Sequence, residues 1–77
     1  MNKILFFAHL RDAIGEESIE MDANKKTVAE LKQQIAETYK IQKLDTAMVA
    51  INEEFALDNE IIQEGDIIAF IPPVSGG

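Results

Sequence analysis

The sequence predicts an α+β fold, in which a mixed sheet of four to five strands has one main helix across one face. Three observations predict it: apolar runs near both ends of the chain, one clear amphipathic helix between them, and shorter alternating segments elsewhere. The two terminal runs are apolar on both faces, so we expect them to lie side by side, in parallel, in the middle of the sheet.

The first apolar run, residues 3–8 (KILFFA), predicts a strand. Residues 9–17 (HLRDAIGEE) predict a turn in which Gly15 is the natural breaker. In residues 17–22 (ESIEMD), Ile19 and Met21 alternate with polar residues, which predicts a half-buried strand in a hairpin with the first.

Thr27 and Glu30 have the spacing of a capping box and predict where the main helix begins. We expect it to end near Lys40. Residues at three- and four-residue spacing form its apolar side: Val28, Leu31, Ile35 and Tyr39. The residues expected to face water are Lys32, Gln33, Gln34 and Glu37.

The second half of the chain contains two more strands and a candidate edge strand. Residues 47–51 (AMVAI) predict a strand, 52–54 (NEE) a turn and 55–57 (FAL) a short edge strand. A turn at 63–66 then precedes the last strand, 67–71 (IIAFI). This order predicts a β-grasp, or ubiquitin-like, domain over residues 1–71, followed by an extended tail over 72–77.

A single helix covers only one face of a sheet. Alternation along the terminal strands directs Ile4, Phe6, Ile68 and Phe70 towards the helix. Phe7 and Ile71 then point outwards, close to Phe55. An exposed apolar cluster of this kind marks a protein-binding surface. Two alternatives remain: loops at 41–46 and 57–63 could cover this face, or a one-residue slip could exchange the two faces.

Composition excludes several classes of function. The chain of 77 residues has no cysteine, and its formal net charge is −7. The charge argues against partners such as nucleic acid and anionic membrane surfaces. The missing cysteines favour a reducing compartment, and the apolar run at the start is too short to cross a bilayer. We therefore expect a cytoplasmic protein.

No self-contained active site is visible. His9 has no nucleophile constellation around it, and the carboxylates of residues 12–22 lack the spacing of a metal loop. We therefore expect no metal and no cofactor bound by this chain. Arg11 either pairs with Asp12 or Glu16 at the surface, or contacts an acidic group of a partner.

The tail, residues 72–77, ends in a carboxylate that another protein could activate. Pro72 and Pro73 end the strand and favour an extended conformation, and Val74, Ser75 and Gly76 lead to Gly77. Glycine lets a partner approach the backbone closely. Transfer of AMP from ATP would make the Gly77 carboxylate a mixed anhydride, which sulfur could displace to give a thiocarboxylate. Another protein would have to supply the ATP site.

The segments LFFAHLRDAIG (5–15) and EGDIIAFIPPVSGG (64–77) closely resemble the small subunit of molybdopterin synthase, a ubiquitin-like sulfur carrier family. TVAELK and VAIN fall where that family has its helix and a strand, so the resemblance covers essentially the whole chain. It implies that an adenylating enzyme of the ubiquitin-activating type uses ATP to activate Gly77, which becomes a thiocarboxylate.

The resemblance also implies partners. The tail would enter the large subunit of a heterotetramer of two small and two large subunits. There, sulfur would pass to cyclic pyranopterin monophosphate and form the dithiolene of molybdopterin. The implied docking positions are Phe7, Phe55 and Ile71, with a polar contact from Arg11. The chain would be the sulfur donor of the complex and non-catalytic alone.

Three alternatives remain. The chain could be a sulfur carrier for another product, such as thiamine, or a protein modifier that forms isopeptide bonds with lysines. It could also be an interaction module whose Gly-Gly has no chemical role.

Overall fold

The computed structural model describes residues 1–41 and 44–72, which form one five-stranded sheet with a main helix packed on it. The elements in chain order are β1 (Asn2–Phe6), α1 (His9–Ile14), β2 (Ser18–Met21), α2 (Val28–Tyr39), a 3₁₀ helix (Leu44–Thr46), β3 (Met48–Ile51), β4 (Glu54–Ala56) and β5 (Ile67–Ile71). The predicted α+β architecture is confirmed, with the edge strand present as β4.

The strand order is β2-β1-β5-β3-β4, which places the strands from the two ends of the chain at its centre. β1 and β5 are parallel and pair Ile4 with Ile68 and Phe6 with Phe70. The other three pairings are antiparallel. The expected central parallel pair is therefore confirmed.

The core lies between the sheet and α2. Ile4, Phe6, Ile68 and Phe70 are all buried there, as the alternation predicted. The rings of Phe6 and Phe70 pack with their centroids 5.7 Å apart. The apolar side of α2 covers them with Val28, Leu31 and Ile35, while Tyr39 packs at the margin. The faces are therefore not exchanged by a one-residue slip.

A reciprocal capping box starts α2, as predicted. The Glu30 backbone N–H donates to the Thr27 hydroxyl at 3.1 Å, and the Thr27 N–H donates to the Glu30 carboxylate at 2.8 Å. That backbone bond is the main cause that lowers the pKa of Glu30 below its ordinary 4.5, and the Thr27 hydroxyl adds to it. The helix ends at Tyr39, and Lys40 caps it in the left-handed conformation.

Two local expectations are wrong. Residues 9–14 form the helix α1, where a turn was expected, because Leu10 and Ile14 share one face at four-residue spacing and pack towards the core. Gly15 ends this helix with φ +89°. Lys32 is buried instead of facing water, because its ammonium finds oxygens in two distant segments.

A buried asparagine, which sequence reasoning missed, fixes one end of β1. The Asn2 side-chain amide donates to the carbonyl oxygens of Gln63 and Asp66 at 2.8 and 3.0 Å. Its side-chain oxygen accepts from the Ala23 N–H at 2.9 Å. Asn2 thus joins two loops to β1, and its buried polar atoms are hydrogen-bonded.

Candidate protein-docking site

The sheet face opposite α2 is apolar and open to solvent. Its exposed side chains include Phe7, Phe55 and Ile67, of which Phe55 is 71% exposed. Ile71 is half-buried on the same face. We call this surface the open face and define it by the residues that line its central hollow of about 530 Å³: Leu5, Phe7, Ala50, Asn52, Glu53, Phe55, Ile67, Ala69 and Ile71.

The loop at 57–63 does not cover the open face. Its backbone instead bonds to the chain around the start of α2: the Val28 and Ala29 N–H groups donate to the carbonyl oxygens of Glu60 and Asp58 at 3.0 Å. Thr27 and Ile61 also form an isolated antiparallel bridge. Leu44 and Ala47 pack into the core on the helix side, and residues 42 and 43 lie outside the described part of the chain.

A tight turn holds Phe7 at the margin of the sheet. The Phe7 N–H donates to the Phe70 carbonyl at 3.3 Å, and the Phe7 carbonyl accepts from the Leu10 N–H at 3.2 Å. Between them Ala8 adopts φ +54° and ψ −136°, a region that favours glycine. β1 ends at Phe6, the backbone turns away directly after Phe7, and the Phe7 ring, 46% exposed, remains on the open face.

The β3–β4 hairpin brings Phe55 to the opposite side of the hollow. Its two-residue loop, Asn52 and Glu53, has positive φ at both positions, as such loops require. The Asn52 side-chain amide donates to the Asp66 carboxylate at 2.9 Å, and its side-chain oxygen accepts from the Ile67 N–H at 3.0 Å. The hairpin is therefore tied to the start of β5. Sequence reasoning missed this network, although Asn in the turn was a visible signal.

Arg11 lies on α1 and is half-exposed. Its guanidinium lies 3.4 Å from the Glu17 carboxylate, so its ion-pair partner is Glu17 rather than Asp12 or Glu16. Both side chains are solvated, and an exposed pair of this kind contributes little to stability. The guanidinium therefore remains accessible to a partner.

Of the predicted site residues, Phe7, Phe55 and Ile71 lie together around the hollow, and Arg11 lies on α1, the helix that follows Phe7. Pro72 directly follows β5. The remaining tail positions lie outside the described residues: Pro73, Val74, Ser75, Gly76 and Gly77. The alternation that directs Phe7 and Ile71 outwards also puts Leu5, Ile67 and Ala69 on this face, whereas sequence reasoning missed Ala50.

The described ranges contain no group of three or more His, Cys, Asp and Glu side chains that could hold a metal ion. Within the same ranges, no helix is long and apolar enough to span a bilayer. The open face offers apolar contact area, since all its lining residues except Asn52 and Glu53 are apolar.

Comparison with known proteins identifies relatives along the whole chain. The model of the ThiS family matches residues 4–77. The molybdopterin synthase sulfur carrier subunit of Escherichia coli (strain K12) is 33% identical over 81 residues, which covers 100% of both chains.

Two solved structures share the fold and resemble the chain at low identity. One is a complex of subunits 1 and 2 of the molybdopterin-converting factor from Helicobacter pylori 26695; the match has 28% identity, a TM-score of 0.68 and coverage of 99% of this chain and 97% of that one. The other is SAMP1, a small archaeal modifier protein from Haloferax volcanii, at 25% identity and a TM-score of 0.75, with coverage of 99% and 98%.

Proposed function

The chain belongs to the ThiS family, and from that premise we propose that it is the sulfur carrier subunit of a molybdopterin synthase. The observation that carries this function is the end-to-end similarity to the curated carrier subunits, 33% for the Escherichia coli protein. The fold supports it, because β5 ends directly before Pro72 and its last residue, Ile71, lines an apolar face.

The chemistry that we propose takes place on Gly77. Its carboxylate attacks the α-phosphate of ATP and releases pyrophosphate, which leaves an acyl adenylate. Hydrosulfide then attacks the carbonyl and expels AMP, which leaves a thiocarboxylate. No side chain next to Gly77 hinders either attack, and Gly76 allows a narrow channel to enclose the backbone. ATP is a substrate of the partner enzyme, and this chain binds no cofactor.

Two protein partners follow from this chemistry. One is an adenylating enzyme of the ubiquitin-activating type, which supplies the ATP site. The other is the large subunit of the synthase, in a heterotetramer of two small and two large subunits. The relative from Helicobacter pylori, which forms a complex of subunits 1 and 2, supports the second partner. The large subunit receives the tail, and each carrier gives one sulfur to cyclic pyranopterin monophosphate to build the dithiolene.

The open face is the surface that we assign to docking. Phe7, Phe55 and Ile71 supply apolar contact area, and we assign a charged contact to Arg11, which is exposed on α1. The net charge of −7 favours a partner with a basic rim rather than nucleic acid or an anionic membrane. We place the protein in the cytoplasm, where the absence of cysteine fits a reducing compartment.

A protein modifier is the second candidate, because the solved structure of SAMP1 from Haloferax volcanii matches at a TM-score of 0.75. A modifier would form isopeptide bonds with lysines, which appear as slower bands on denaturing gels. A carrier for another product, such as thiamine, would be loaded with sulfur in the same way but would deliver it to a different enzyme.

Intact-mass spectrometry tests the proposal. The chain is incubated with ATP, a sulfur source and the host's adenylating enzyme, with a parallel reaction that lacks ATP. We expect the mass of the chain to increase by the difference between one sulfur and one oxygen atom. The added sulfur should be located at Gly77 and should be lost when the large subunit and the pterin precursor are added. A gain that these additions do not consume would contradict the molybdopterin role, and no gain would contradict any sulfur carrier.

A further inference from the structure

Strand register places two alanines at the centre of the open face. Across the sheet, Leu5 of β1 pairs with Ala69 of β5, Ala69 pairs with Ala50 of β3, and Ala50 pairs with Phe55 of β4. Directly paired residues share one face. The row therefore contains a large side chain, two methyl groups and another large side chain.

Along β5, too, large side chains flank a small one on the open face. Ile67 and Ile71 lie two residues on either side of Ala69, so both project from the same face. Ala50 is only 7% exposed although none of the described helices or strands covers this face, because the larger side chains around it shield it from solvent. The two alanines thus form the floor of the hollow of about 530 Å³, and Phe7, Phe55 and the two isoleucines form its walls.

We propose that this hollow is a socket for a large apolar side chain, aromatic or aliphatic, that projects from the large subunit. Ala50 and Ala69 set the depth of the socket and thereby determine which partner fits. This inference rests on the proposed function, because it takes the large subunit as the occupant. Apart from Asn52 and Glu53 at the hairpin, all the lining residues are apolar, which suits an uncharged anchor.

The short reach of the tail supports the large subunit as the occupant. Ile71 both lines the hollow and ends β5, and Gly77 is the fifth residue after Pro72 in the sequence. Covalent geometry limits those five residues to a reach of about 16–18 Å. A partner that receives Gly77 must therefore lie close to this end of β5, next to the socket.

The test compares two substitutions in the same transverse row. Ala69→Leu fills the socket, whereas Ser18→Leu adds the same side chain beyond Leu5, to which Ser18 is paired. Each variant is titrated against the isolated large subunit by calorimetry. We expect Ala69→Leu to weaken binding by on the order of 30-fold or more, the loss typical of one anchor residue. We expect Ser18→Leu to bind as the wild type does.

Thermal unfolding confirms that each variant is folded, and Ala69→Val, which is smaller, replaces Ala69→Leu if the latter unfolds. Unchanged binding by the folded Ala69 variant would overturn the socket. Equal losses for the Ala69 and Ser18 variants would also overturn it, since any added bulk on the face would then suffice. The proposed function fails separately, if the wild-type chain itself does not bind the large subunit.

Discussion

At the scale of single residues, Phe7 is an exposed aromatic side chain on the open face. It is 46% exposed although it is a large aromatic residue, and the tight turn at Ala8 holds it at the margin of the hollow. Buried aromatic residues are frequent anchors of protein interfaces. Contact with a partner therefore explains the exposure of Phe7 better than the stability of the isolated chain does.

We expect Phe7→Glu to abolish measurable binding to the large subunit while the domain remains folded, because the change places an unpaired charge in an apolar interface. Ile61→Glu is the matched control: Ile61 is similarly exposed, at 48%, but lies in the loop beside the start of α2. Calorimetric titration measures both variants. Normal binding by Phe7→Glu would show that the open face is not the docking surface.

Lys32 is the clearest example of a residue whose role depends on distant segments. Its ammonium donates to the Asp45 carbonyl at 3.2 Å and to the Asp58 carboxylate at 3.0 Å. It thereby joins α2 to the 3₁₀ helix and to the loop after β4. The ion pair alone contributes little, because Asp58 is 64% exposed.

We expect Lys32→Ala to lower the free energy of unfolding by about 1–3 kcal/mol, because a hydrogen bond to the Asp45 carbonyl and the packing of the lysine stem are both lost. Asp58→Ala should lower it by less than about 1 kcal/mol, because the carboxylate is solvated. Urea unfolding measures both. If Asp58→Ala lowered the free energy of unfolding as much as Lys32→Ala does, the ion pair rather than the burial of Lys32 would be the main source of stability.

At the scale of elements, a pH-dependent capping box stabilises the start of α2. Hydrogen bonds from Thr27 lower the pKa of Glu30 in the folded state below 4.5. A carboxylate with a lowered pKa stabilises the fold above its unfolded pKa, and this contribution is lost as the pH falls through the folded pKa. The cap should therefore weaken only below about pH 4.5.

Glu30→Gln should remove this dependence, since glutamine can occupy the capping box but does not titrate. We expect the wild type to be the more stable form at neutral pH, and the difference in melting temperature to shrink as the pH falls below 4.5. Glu37→Gln, elsewhere on α2, controls for the loss of one acidic charge. A difference that stays constant from pH 7 to pH 3 would contradict the cap mechanism.

At the scale of the whole molecule, the fold separates the domain from the segment assigned to chemistry. The described core lies between α2 and the sheet, and β5 ends at Ile71. Gly76 and Gly77 are five and six positions further along the chain. We therefore expect the proposed chemistry at Gly77 to leave the packing of the core unchanged.

Deletion of Gly76 and Gly77 should abolish sulfur loading in the intact-mass assay and leave the melting temperature unchanged. The truncated chain should still bind the large subunit through the open face, although more weakly if the tail adds contacts. Differential scanning calorimetry and the loading assay measure the two effects. A large fall in melting temperature would contradict the separation of tail and domain.

Local sequence determined much of this protein. Short stretches of sequence predict the capping box, the apolar side of α2 and the strands. They also predict the alternation that separates the core from the open face. All these features depend on neighbouring residues and on the periods of helix and strand. Alternation directed Phe7 and Ile71 outwards, and the resemblance of the two terminal segments indicated the family.

Only the tertiary structure decided the remaining features. The burial of Lys32, the three bonds of Asn2 and the link from Asn52 to Asp66 join segments between 13 and 64 residues apart. The alanine floor requires the register of four strands at once, and a slip of one residue would replace it with core residues. Such features arise from contacts between distant segments, which no local pattern encodes.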